Sequence, residues 1–147
     1  MDSTVDPALS SPNRDLRGRS LAGQNLNAQD LRSADLVACN LEAANLNGCQ
    51  LTGAQLHKAR LRRATLSQAI LSNISARDAD LENADLQNAD MRNSDLQFAI
   101  LLEADLSGAD LSGANLTGAD LRSANLTGAN LTGACLDGAD LAGARLD

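Results

Sequence analysis

From Leu16 to Leu146 an apolar residue returns at every fifth position without a break in the frame. Of 27 such centres all are leucine except Met91 and Ala76. The position two residues before each centre is alanine in 19 of the 27 words. The cleanest run is Ala104 to Ala144, ADLSG ADLSG ANLTG ADLRS ANLTG ANLTG ACLDG ADLAG A. Here Ala104, Ala109, Ala114 and Ala119 precede Leu106, Leu111, Leu116 and Leu121 as the expected core. A helix advances about 100° per residue, so a period of five spirals the leucines around the cylinder. A straight strand alternates faces at every residue, so an odd period sends successive leucines to opposite sides. The pattern predicts neither. It predicts short extended pieces, in which the alanine and the leucine two later face inward, joined by bends that make the chain coil.

The bends have their own residues. All 11 glycines lie two places after a centre, where φ > 0 costs glycine nothing, as in a type II turn. From 58 to 103 the same slot holds Lys58, Arg63, Gln68, Asn73, Asp78, Asn83, Asn88, Asn93, Phe98 and Glu103. Asparagine tolerates the left-handed region better than Arg63, Phe98 or Glu103, so these middle turns are expected to be of another type. One word cannot fold alone. Burying a leucine is worth about 1.5–3 kcal/mol, whereas fixing each of five backbones costs about 1–2 kcal/mol. Stability must come from stacked neighbours, as in other solenoids.

The words A(D/N)LxG resemble those of the pentapeptide-repeat family, and the resemblance covers Arg14 to Asp147. It implies an all-β fold, a right-handed quadrilateral β-helix with four words per coil. Residues 20 apart then stack, and the 27 words make just under seven coils, a rod of roughly 30 Å at about 4.8 Å per coil. Residues 1–13 fall outside the repeat. The first coil carries Arg14, Arg19, Gln24 and Gln29 where alanine stands later, the polar departure expected of a terminal repeat. It reads as a cap, with Val5 and Leu9 folding over its open end. The chain stops within a repeat at Arg145-Leu146-Asp147. A bare last coil there would expose Leu131, Leu136, Leu141 and Leu146, and is expected to meet a second molecule as a homodimer or to continue into a longer chain.

Composition narrows the picture further. The length and the single repetitive segment indicate one domain. No run approaches a membrane span and no leader is evident, so a cytoplasmic protein is expected, or an exported mature chain whose leader has been removed. Three cysteines without a spacing pattern suggest neither a disulfide framework nor a zinc site. Cys39 and Cys49 take the small inward slot as buried thiols on opposite walls, while Cys135 points outward. At Ile74-Ser75-Ala76 the large and small inward residues trade places at constant volume. No nucleophile, base or metal-ligand set is present, and His57 has no companions. The sequence therefore reads as non-catalytic, without metal or cofactor.

Three surfaces are candidates for binding. Phe98, Ile100 and Leu102 fall at outward positions on two adjoining sides and include the chain's one aromatic residue, a candidate protein contact. The net charge of −7 is lopsided: residues 1–77 hold nine Lys+Arg and six Asp+Glu, a balance of +3, and residues 78–147 hold three and thirteen, a balance of −10. Asp80, Glu82, Asp85, Asp90, Asp95, Asp105 and Asp110 form a candidate acidic surface, although an aspartate just before a centre also suits a local backbone bond. The basic stretch His57 to Arg63 is expected to be neutralised from within, Asp78 stacking on Lys58, Asp80 on Arg60, and Glu42 and Glu82 about Arg62, so direct nucleic-acid binding is not expected. The leading reading is an interaction scaffold with a protein partner. The alternative follows from the resemblance: family members that confer quinolone resistance mimic duplex DNA and bind DNA gyrase. The third is a flat polar binder of ice or carbohydrate on the wall of Asn25, Asn45, Thr65, Asp85, Asp105 and Asn125.

Overall fold

The protein is described by a computed structural model that covers Leu9 and residues 11–147; Val5 lies outside the described residues. From Asp15 onward every fifth residue pairs in parallel with the residue one coil of 20 further on, ending with Asn125 on Arg145. Four words therefore close one coil. Each wall is a ladder of single bridges: Ser20–Asn40–Arg60–Asp80–Ile100–Asp120–Asp140 on the first, which we call the Ile100 wall. The Thr65, Ile70 and Ser75 walls follow in chain order, each ladder advancing by the same step.

One word shows how the backbone is satisfied. Leu36 N–H donates to Gln55 O at 2.7 Å and Ala38 N–H to His57 O at 2.9 Å, both to the following coil. Asp35 N–H donates to Arg14 O at 2.7 Å on the preceding coil, and Cys39 N–H closes the turn on Leu36 O at 3.0 Å. The fifth donor, Val37 N–H, is taken by the Asp35 carboxylate at 3.2 Å. A buried or crowded backbone donor must find a partner, and where an aspartate or asparagine stands before the centre, as in 17 of the 27 words, its side chain can supply it. Asp80, Asp85, Asp90, Asp95, Asp105, Asp110, Asp120 and Asp140 all accept from the backbone N–H two residues on.

The core is one column of leucine and alanine. Leu106, Leu111, Leu116, Leu121, Ala104, Ala109, Ala114 and Ala119 are buried, as are Met91 and both partners of the Ile74/Ala76 exchange, so the column runs through without a gap. Ser94 is buried in an alanine slot and returns its hydroxyl to Met91 O at 2.7 Å. Cys39 and Cys49 are buried free thiols, bonded to Leu16 O and Leu26 O. Burial pushes the Cys49 thiol up to about 11 and raises that of Cys39.

The corner slots correct one expectation. Every position from Asn13 to Gly143 in steps of five has φ > 0, glycine or not: Arg63 at 56°, Phe98 at 57° and Glu103 at 56°, against 65–73° for the glycines. The middle turns share the sign of φ of the glycine turns. The physical reason is cooperative, since each corner N–H is committed to the next coil, Arg63 to Glu82 O and Phe98 to Thr117 O. Abandoning the left-handed region would break that bond.

The two ends differ. In the first coil Arg19 and Gln24 are exposed in the alanine slot, and Leu9 is buried with the core. In the last, Leu131, Leu136 and Leu141 are half-buried and Leu146 is 53% exposed.

Candidate functional site

The apolar cluster lies on the Ile100 wall. Phe98 stands in the turn before the wall, Ile100 at its middle and Leu102 in the turn after it, so the three form one band across the rod. Ile100 and Leu102 are half-buried, while Phe98 is 48% exposed. Its ring does not swing freely. Arg77 places its guanidinium carbon 5.3 Å from the ring centroid, within the range of a cation–π contact. On the coil above, a Cβ added to Gly118 would stand 2.6 Å from two ring carbons. Phe98 thus packs between a glycine one coil ahead and an arginine one coil behind, and Arg77 also donates to Gln97 Oε1 at 3.1 Å. Arg77 and Gly118 carry no signal of their own in the sequence. The 20-residue stack places Asp78 and Gly118 on either side of Phe98, and so points to Gly118 but not to Arg77.

Charged ladders flank the band. Below it Arg62 pairs with Asp80 at 2.7 Å and with Glu82, and Arg60 pairs with Glu42 at 3.0 Å. Above it Arg122 pairs with Asp120 at 2.7 Å and reaches Asp140 at 3.9 Å. Arg60 does stack on Asp80, but its ion partner is Glu42, and among the described residues no ion pair joins Lys58 to Asp78. A different pairing dominates elsewhere: an arginine just after the centre folds back on the aspartate just before it. Asp15-Leu16-Arg17, Asp30-Leu31-Arg32, Asp90-Met91-Arg92 and Asp120-Leu121-Arg122 all do so. Arg17 thereby holds the Asp15 carboxyl down at about 2.

The acidic set does not gather on one face. Asp80 and Glu82 belong to the Ile100 wall and its far corner, Asp85 and Asp105 to the Thr65 wall, Asp90 and Asp110 to the Ile70 wall, and Asp95 to the Ser75 wall. Arg62 pairs with both Asp80 and Glu82 and offsets one of their two charges, and Arg92 neutralises Asp90. Asp85, Asp95, Asp105 and Asp110 form no ion pair among the described residues. On Asp105 burial works against ionisation but is outweighed by bonds from Ser107, Gln87 and Asn125, leaving its carboxyl below the usual value. The Ser112 hydroxyl and backbone lower Asp110 in the same way. On the Thr65 wall the polar groups also bond one another between coils, Thr65 to Asn45 and Ser67 N–H to Asn47.

His57 bonds Ser75 Oγ through Nε2 at 2.9 Å, and Cys135 is half-buried beside the Thr117 hydroxyl at 3.4 Å. Among the described residues no three His, Cys, Asp or Glu side chains converge as a metal site, the surface has no pocket, and no helix is long and apolar enough to cross a membrane.

A four-sided coil with rigid, self-satisfied walls defines a β-solenoid whose chemistry is confined to its surface. The chain belongs to the pentapeptide repeat family, whose profile matches eight copies over residues 34–73, 59–97, 77–113 and 109–147. Members of this family form right-handed quadrilateral β-helices. The chain is 32% identical to HetL, a pentapeptide repeat protein involved in heterocyst differentiation regulation in the cyanobacterium Nostoc sp. strain PCC 7120, over 90% of this chain and 77% of that one, with a TM-score of 0.43. It is 29% identical to a pentapeptide repeat protein of the Arabidopsis thaliana thylakoid lumen, over 78% and 70%, with a TM-score of 0.41. QnrB1, a plasmid-mediated fluoroquinolone resistance protein, shares the fold at 22% identity over 92% and 91%, with a TM-score of 0.50. No curated protein sequence matches the chain.

Proposed function

We propose that the protein is a non-catalytic interaction scaffold and that the Ile100 wall is its protein-contact surface. The observation that carries this reading is Phe98, the chain's single aromatic residue, half exposed yet held by Arg77 and Gly118. Large apolar anchors whose conformation is fixed in advance lose little entropy on binding, and contact energy concentrates on such residues. The walls are also stiff, because every word between the end coils is tied to the coils on both sides.

A photo-crosslinking residue at Ile100, compared with one at Thr65 on the neighbouring wall, tests the reading in cells of the source organism. Adducts are expected from Ile100 and not from Thr65, and the double substitution Phe98→Ser, Leu102→Ser should abolish them while the melting curve stays cooperative. Equal adducts from both walls would remove the assignment.

DNA mimicry directed at DNA gyrase is the second reading. It is favoured by the column Asp85–Asp105, which repeats negative charge at the coil spacing in the −10 half of the chain, and by Asp110 on the next wall. Titrating the protein into a gyrase supercoiling assay at two salt concentrations decides it. Mimicry requires inhibition that weakens with salt, and no effect at large excess leaves the scaffold.

A further inference from the structure

The Ile100 wall carries an arrangement that matches itself when inverted. Its central column reads Arg60, Asp80, Ile100, Asp120, Asp140, with the apolar residue in the middle and opposite charges at the two ends. The far corner column reads Arg62, Glu82, Leu102, Arg122 one coil at a time. We infer that this wall binds a second copy of the chain, face to face and antiparallel, about a two-fold axis that runs along the band. The inference rests on the reading of this wall as a contact surface and names its occupant.

A two-fold interface is isologous, so each residue meets the one its own position dictates. With the axis along the band, Phe98, Ile100 and Leu102 meet their own counterparts. Arg60 then faces Asp140 of the second copy, and Glu82 faces Arg122 of the second copy, each pair formed twice. Arg60, Arg122 and Asp140 are all at least half exposed, so Arg60, seated on Glu42, and Arg122, seated on Asp120, can be shared with the second copy. One apposition is of like charge, Asp80 on Asp120, and it is offset in part by the arginines beside them, Arg62, shared with Glu82, and Arg122, shared with Glu82 of the second copy. The other two-fold arrangement, with the rods parallel, sets Arg60 on Arg60 and Asp140 on Asp140, so the charges select the antiparallel pair.

The area sets the strength. A wall of five residues is at most about 16 Å wide, and with the axis on Ile100 only the five coils from Arg60 to Asp140 overlap, about 24 Å, so the pair buries at most about 800 Å² in total. That lies at the low end for specific association, and the dimer is therefore weak, reversible and salt-sensitive.

Sedimentation equilibrium of the purified chain over a concentration series, at low and high salt, should show a monomer–dimer equilibrium that salt weakens. Arg60→Glu and Asp140→Arg should each weaken it by about tenfold or more, because each places like charges opposite one another twice. An equimolar mixture of the two variants should restore dimerisation as a heterodimer, since one opposed pair is rebuilt with reversed sign and the other keeps its native charges. Circular dichroism melts confirm that the variants fold. Monomers at every concentration, or a mixture no tighter than either variant alone, would overturn the proposal. If the chain is monomeric while a crosslinker at Ile100 captures a different protein, the second copy is excluded and the contact wall stands. If Ile100 captures nothing beyond the Thr65 control, both fall.

Discussion

The rod has two kinds of corner. From Lys58 to Glu103 every corner bears a side chain, whereas from Gly108 to Gly143 all but Ser123 are bare glycine. The backbone is nearly the same in both, with φ of 55–59° in the first stretch and 66–73° at the glycines of the second. Local preference therefore does not choose the corner conformation; the bond from each corner N–H to the next coil does. What differs is what the corners carry. The middle stretch presents Lys58, Arg63, Phe98 and Glu103 to solvent, and the candidate contact band lies there. The glycine stretch is smoother, and its charge comes from the aspartates of the walls.

If the halves share one core and differ only at their corners, core truncations should cost the same in both. Leu66→Ala in the middle and Leu111→Ala in the glycine stretch remove equally buried side chains. Each should destabilise by about 2–5 kcal/mol in denaturant unfolding. A cost at Leu111 far below that at Leu66 would mean that the last coils unfold as a separate, weaker unit.

Corner exchanges come next in size. A Cβ at Gly118 meets the Phe98 ring at 2.6 Å, but one at Gly128 meets only Gly108 N at 4.0 Å. Gly128→Ala should cost about 1 kcal/mol for the left-handed backbone alone. Gly118→Ala should cost about 1–2 kcal/mol more, and Phe98→Ala should recover that excess in a double-mutant cycle. In the other direction, Arg63→Gly relieves a strained corner and should stabilise by about 0.5–1 kcal/mol, less the entropy glycine adds to the unfolded chain. Destabilisation by Arg63→Gly would show that the middle corners are selected for their own conformation.

Much of this was legible in the sequence, and the parts that were not share a cause. The five-residue period, the inward leucine and alanine, and the core through Ile74 and Ala76 follow from patterning, because burial repeats with the chain. The resemblance supplied four words per coil, and the bridges from Asp15 to Arg145 agree. The corners at Arg63, Phe98 and Glu103 were misjudged because residue preference was weighed without the inter-coil bond that overrides it. The 20-residue stack does not show the pairs within the short words Asp90-Met91-Arg92 and Asp120-Leu121-Arg122, where an arginine two residues after an aspartate carries the signal. The acidic residues looked like one surface in linear order, yet neighbours five apart stand on different walls. The seating of Phe98 against Arg77 and Gly118 depends on side-chain direction, which a repeat pattern does not encode.

The smallest expected effect concerns acid. In the glycine stretch Asp105, Asp110 and Asp120 are held below the ordinary carboxylate value, Asp105 by bonds that outweigh its burial, Asp110 by Ser112 and Asp120 by Arg122. A carboxyl whose folded value lies below its unfolded one stabilises the fold above the unfolded value, about 3.9. That contribution is lost as pH falls through the folded value. Thermal stability should therefore be flat from neutral pH down to about 5 and decline below about 4. Amide exchange in acid should rise in the last coils, where Leu131 and Leu136 are only half-buried, before it rises around Leu66. Asp105→Asn separates charge from geometry, since an amide oxygen can still accept from Ser107 N–H, the bond that Asp105 makes at 3.0 Å. This variant should keep most of its neutral-pH stability and lose part of the acid dependence. An unchanged acid profile would place the dependence on other carboxylates, with Asp15, held at about 2 by Arg17 at the opposite end, the next to replace.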